Sequence, residues 1–92
     1  MNEKIKAMVD EYIVDIKYSD FDEEESYFFE DVPIPIREHL QNYPEALDEI
    51  VEADEKLIKG YEKLPNDSYL KEILTPIYEM AKKNVEAHLE VV

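Results

Sequence analysis

Twelve residues, Asp20-Phe-Asp-Glu-Glu-Glu-Ser-Tyr-Phe-Phe-Glu-Asp31, hold seven carboxylates and four aromatic rings with no Lys or Arg among them. Oxygen side chains at positions 1, 3, 5, 7 and 12 of that frame have the spacing of a helix-loop-helix calcium loop. The rest of the frame does not fit. Position 6 is Glu25 where the sharp turn needs glycine, position 9 is Phe28, and position 12 is Asp31 instead of a bidentate Glu. No metal and no cofactor is expected there. The composition suits a contact surface instead, since rings anchor with large area and few rotors while charge steers the encounter. On this reading Asp20, Asp22, Glu23, Glu24, Glu25, Glu30 and Asp31 meet Lys and Arg of a basic partner. Tyr27 and Phe29 are the expected anchors, Tyr18 and Tyr43 contribute at the rim, and Phe21 and Phe28 are assigned to the core.

The remaining titratable residues offer little catalytic chemistry. His39 and His88 are the side chains whose ordinary titration lies near neutral pH. Three residues before them stand Ile36 and Val85, so the Glu-x-x-His element of di-iron bundles is missing, as is His-Glu-x-x-His. Neither histidine is followed by the lysine and glycine of a phosphotransfer bundle: Leu-Gln-Asn-Tyr-Pro follows His39 and Leu-Glu-Val-Val follows His88. His88 falls on an apolar helical stripe one turn after Asn84 and is expected to be partly buried and bonded to a neighbouring helix. With no cysteine and a single glycine, the chain has no thiol nucleophile and no phosphate-cradling loop. An enzyme is not expected.

Asp54 stands out for a different reason. At 100° per residue it falls in the middle of the stripe formed by Leu47, Ile50, Val51, Leu57, Ile58, Tyr61 and Leu64. A carboxylate there must find a partner or lose several kcal/mol to desolvation. The expected partner is Arg37, His39, His88 or a tyrosine hydroxyl inside the fold. Two other roles stay open: part of an uncovered binding face, or a catalytic acid.

The elements that position these residues follow from periodicity and punctuation. Ile5, Met8, Val9, Tyr12, Ile13 and Ile16 make one face of a helix over about 3–18. Asp22 with Glu25 three residues later has the form of a cap, predicting a short helix over about 22–31. Val32-Pro-Ile-Pro-Ile reads as an extended connector, and Pro35 as the first residue of a second short helix over about 35–42. Pro44 opens a long helix to residue 64, and Leu64-Pro65-Asn66-Asp67 stops it. The last helix, about 68–90, carries Leu70, Ile73, Leu74, Ile77 and Ala81 on its stripe and is expected to bend or break at Pro76. The fold class predicted is all-α: one domain over residues 1–92, a bundle of three long and two short helices.

The formal charge is −14, from 24 acids and 10 bases. Such a field repels nucleic acid and anionic membranes and draws basic proteins. No apolar run approaches the roughly 20 residues of a membrane span. The N-terminus lacks a secretory pattern and cysteine is absent, so a cytoplasmic location is expected. The function expected is a stoichiometric binding or inhibitor protein whose acidic-aromatic surface occludes a basic partner. Examples are an immunity protein or antitoxin against a nuclease, or a nucleic-acid mimic. It would be a monomer or weak dimer. The alternative is a helical adaptor or homo-oligomer with an apolar interface, drawing on the tyrosines or on Leu89-Glu-Val-Val.

Overall fold

The structure, a computed structural model, describes residues 1–90. Among them it is all-α, with six helices: α1 (Glu3–Tyr18), α2 (Ser26–Asp31), α3 (Pro33–Leu40), α4 (Pro44–Glu49), α5 (Val51–Lys63) and α6 (Tyr69–Glu90). A 3₁₀ turn, Glu23–Glu25, leads into α2. Among the described residues no helix is long and apolar enough to cross a membrane. Of the C-terminal Leu89-Glu-Val-Val, Leu89 is exposed, while Val91 and Val92 lie outside the described residues.

α1 has its predicted bounds. The Asn2 side chain accepts from the Ile5 amide at 2.9 Å, satisfying one of the donors a helix start leaves free. At the other end Lys56 of α5 donates to the carbonyls of Lys17 and Ser19, a cation on the negative end of the helix. Ile5, Val9, Tyr12 and Ile16 are buried. α5 and α6 form the main hairpin, joined by the short Leu64–Ser68 turn. α1 packs on α3 and α5, and α2 with α3 closes the gap between α1 and α6. The core between these layers comprises the α1 residues with Phe29, Leu40, Ala46, Ile50, Leu57, Leu70, Leu74, Ile77 and Ala81.

Several boundaries differ from the sequence reading. The short helix predicted over about 22–31 is a 3₁₀ turn followed by α2 from Ser26. α3 starts at Pro33, so Pro33 and Pro35 both sit in its first turn, where the N–H they lack has no intrahelical use. The expected extended connector is absent: Val32 has φ −125° and ψ −70°, and its carbonyl accepts from Ile36 at 3.1 Å. The predicted long helix over 44–64 is two helices broken at Ile50 (φ −105°, ψ 14°). A continuous helix would use the Leu47 carbonyl to accept from Val51; here the Asn84 side chain of α6 takes that carbonyl at 3.0 Å. At Pro76 α6 continues without a break.

The chain's single glycine has a steric role. Gly60 lies in α5 under the Phe21 ring, and a Cβ there would sit 2.7 Å from ring carbons. Phe21 is the one non-glycine residue among those described with positive φ, 55°. That conformation costs about 1–2 kcal/mol. Its neighbours hold it in place: the Phe21 amide donates to Ser19 Oγ at 3.0 Å, and its ring lies 5.5 Å from that of Phe29.

In an ordinary helix interior Gly→Ala gains about 1 kcal/mol. Gly60→Ala should instead lower the unfolding free energy in a urea titration, and in a Phe21→Ala background it should become stabilising. A stabilising effect with Phe21 present would contradict the packing described.

Candidate functional site

Two constellations bring together residues singled out by their chemistry. One is enclosed by the helices, and the other lies on the surface where α2 meets the start of α6.

The enclosed constellation centres on Asp54. Arg37 Nε donates to Oδ1 at 3.0 Å and Nη2 to Oδ2 at 3.0 Å, a bidentate pair in which both side chains are 0% exposed. Tyr12 Oη donates to Oδ1 at 2.7 Å, and Asn84 Nδ2 to Oδ2 at 2.9 Å. Arg37 Nη1 donates to Gln41 Oε1 at 2.9 Å. Burial above all, with the Asp54 charge beside it, pushes the Tyr12 hydroxyl well above the usual phenol range, so it remains a proton donor. Of the partners expected for Asp54, Arg37 and a tyrosine hydroxyl are present; His88 bonds to Asp48 instead, and His39 lies at the surface. Sequence reasoning missed Asn84, whose spacing one turn before His88 was the available signal. Tyr12, Arg37 and Asp54 are 0% exposed and mutually bonded, so the cluster joins helices and offers no room for a substrate.

His88 bridges α6 to α4, with Nε2 2.8 Å from Asp48 Oδ1 and Nδ1 2.8 Å from the Asn84 carbonyl. It is partly buried and bonded to a neighbouring helix, as its stripe position implied. His39 is exposed, with its ring 5.3 Å from Tyr43.

At the surface the seven carboxylates divide. Glu25 folds back on its own turn, accepting from the amides of Asp20 at 3.2 Å and Asp22 at 3.0 Å and from Ser19 Oγ. This is the returning acid that the Asp22–Glu25 spacing implied. Glu23 crosses to α6, where it accepts from the Leu70 amide at 3.1 Å and from Ser68 Oγ, so a carboxylate caps the positive end of that helix. The Ser68 hydroxyl bond first, then the Leu70 and Tyr69 amides, hold the Glu23 carboxyl below its ordinary range. Glu30 accepts from Tyr69 Oη. Asp20, Asp22, Glu24 and Asp31 are exposed, and among the described residues none of the seven forms an ion pair.

The rings are reassigned. Phe29, expected as a surface anchor, is 0% exposed, and Phe28, expected in the core, is 41% exposed. Because α2 starts at Ser26, its buried line runs Ser26, Phe29 and on to Pro33, at i, i+3 and i+7. Phe28, 100° earlier, is turned to the edge. Phe21 packs against the core as expected. The outward line is Glu24, Tyr27, Phe28 and Asp31, with Tyr27 81% exposed, and Tyr69 of α6, 50% exposed, reaches α2 through its hydroxyl bond to Glu30. Tyr69 was not legible as a member, because nothing local ties the start of α6 to α2. Tyr18 is exposed and Tyr43 half-buried against the core.

The cations are distributed unevenly over the aromatic residues. Lysines lie over Tyr18, Tyr61 and Tyr78 at 5.5, 5.0 and 6.0 Å from the ring centres. Among the described residues none lies over Tyr27, Phe28 or Tyr69, and no Lys or Arg occurs between Lys17 and the buried Arg37. This face combines exposed rings with carboxylates that, among the described residues, form no ion pair. No protein-family model, curated protein or solved structure matches the sequence or the fold.

Two stability predictions follow from this geometry. Asp54→Ala, which strands the buried Arg37, should remove about 3–5 kcal/mol in urea unfolding, against about 1.5–3 kcal/mol for Tyr12→Phe. Asp15 of α1 has a buried Oδ2 with no partner, and burial first, then Glu11, raises its carboxyl. A raised folded-state carboxyl imposes its penalty above that raised value and none below the unfolded one. Asp15→Asn should therefore raise the melting temperature at pH 7 and lose the advantage on acidification through the carboxylate range.

Proposed function

We propose that this chain is a stoichiometric binding protein that occludes a basic protein surface through the Glu24–Tyr27–Phe28–Asp31 line of α2 and Tyr69 of α6. The carrying observation is that these rings have no cation of their own, while lysines cover Tyr18, Tyr61 and Tyr78. A ring face attracts an ammonium or guanidinium within about 6 Å, most strongly when water is excluded. Asp20, Asp22, Glu24 and Asp31 would supply the counter-charge, and the net −14 would accelerate encounter.

Two kinds of partner have the required chemistry: a nuclease, making this an immunity protein or antitoxin, and a nucleic-acid-binding protein whose phosphate-binding groove the carboxylates imitate. In either case the partner's Lys and Arg meet acids held on a fixed surface, because Glu23, Glu25 and Glu30 tie the segment to α6 and to its own turn. The protein itself would perform no reaction. A second reading, an adaptor with an apolar contact, has in its favour the exposed Val14 and Tyr18, one turn apart on α1.

The test separates the rings from bulk charge. An arginine-rich peptide is titrated into ¹⁵N-labelled protein at two salt concentrations. The largest shifts should map to residues 24–31 and 69–72, and affinity should fall as salt rises. Tyr27→Ala with Tyr69→Ala leaves the net charge unchanged and should weaken binding about tenfold, at about 0.5–1 kcal/mol or more per cation–ring contact. Shifts scattered over all acidic residues, or an unchanged affinity in the double variant, would refute the proposal.

A further inference from the structure

α4 is six residues long, too short to persist as a helix without tertiary support. Ala46 anchors it in the core, Leu47 packs half-buried against it, and an exposed Lys6–Glu49 pair spans 3.9 Å. Its hold on α6 runs through two side chains: Asn84 to the Leu47 carbonyl, and His88 to Asp48. α4 joins α5 at Ile50, where the helical ladder is already interrupted.

The His88 ring has an acceptor on each nitrogen. The Asn84 carbonyl lies 2.8 Å from Nδ1 and the Asp48 carboxylate 2.8 Å from Nε2, and neither oxygen has a proton to give at neutral pH. A neutral imidazole has one N–H and satisfies one of them; the imidazolium satisfies both. We infer that the His88–Asp48 contact is a proton-operated latch on α4, closed while the ring is an imidazolium and loosened when it loses its second proton.

The charged groups facing the ring agree in sign. Asp48 approaches from α4, and Asp54 of α5 acts from further off, although Arg37 of α3 pairs with it directly. The Asn84 carbonyl first, then the Asp48 carboxylate, raise the ring above its ordinary 6.5, against a smaller opposing effect of burial. The sign follows from linkage: a folded-state pKa raised above the unfolded one adds stability below the unfolded value, and that stability is lost as pH rises through the raised one. The latch therefore opens as pH rises through that raised titration. Because Asn84 also holds Asp54 at 2.9 Å, the opening stops at α4 while the buried cluster stays intact.

The experiment is amide hydrogen exchange of the full chain from pH 5.5 to 8.5, with His88 followed by NMR in the same samples. His88 should titrate above 6.5. Exchange of the α4 amides, corrected for base catalysis, should rise about two- to fivefold across that titration, in keeping with a partly exposed ion pair. Amides of α1 and α5 should show no such step. His88→Gln should abolish it. Asp48→Asn, a surface change that leaves the core untouched, should lower the His88 titration and also remove the step. A flat corrected profile for α4, a step that survives in either variant, or one that follows His39 would overturn the inference.

Discussion

The carboxylate of Asp54 is the constraint on which the rest of the arrangement depends. Four of the six helices contribute to its cluster: Tyr12 from α1, Arg37 from α3, Asp54 from α5 and Asn84 from α6. Through the Leu47 carbonyl, Asn84 adds α4 as a fifth. An apolar core of Leu, Ile and Ala tolerates sliding and rotation of its helices, because such contacts have little direction. A bidentate guanidinium–carboxylate pair with 3.0 Å bonds does not. Buried pairs of this kind add little net stability, since desolvation offsets most of their attraction. What they supply is discrimination: any packing that separates Arg37 from Asp54 leaves a bare charge in the core.

The same cluster reaches the interruption at Ile50. Were 44–64 one helix, the Leu47 carbonyl would also accept from Val51; with the helix broken, the Asn84 amide is its side-chain partner. At the break Asn84 meets that carbonyl while holding Asp54. Ile50 itself stays fully buried, so the chain turns without exposing apolar surface.

The acidic segment divides its work between architecture and contact. Glu23 and Glu25 occupy backbone donors that would otherwise be unsatisfied, one at the start of α6 and one in the turn before α2. Their negative charge is therefore part of the fold. The Phe21 ring on Gly60 fastens the segment to α5, which accounts for a left-handed backbone at a residue with a large side chain. What remains outward is a smaller surface than the composition suggests, with Tyr27 and Tyr69 as its most exposed rings.

By itself the sequence determined the helical class, the bounds of α1, the apolar stripes of α1, α5 and α6, the Glu25 return bond and the need of Asp54 for a buried partner. All of these are local: 3.6-residue periodicity, capping grammar and the cost of burying a charge act over a few residues or one turn. The tertiary structure alone decided which rings of the acidic segment face inward. One residue along a helix is a 100° turn, so which ring faces inward depends on how α2 is seated, and Glu23 ties the turn before it to Ser68, 45 residues away along the chain. It also decided that Asn84 completes the Asp54 cluster and that Tyr69 bonds to Glu30. In each of these pairs the partners are distant in sequence, and no pattern within one helix records which residue of another will lie opposite it.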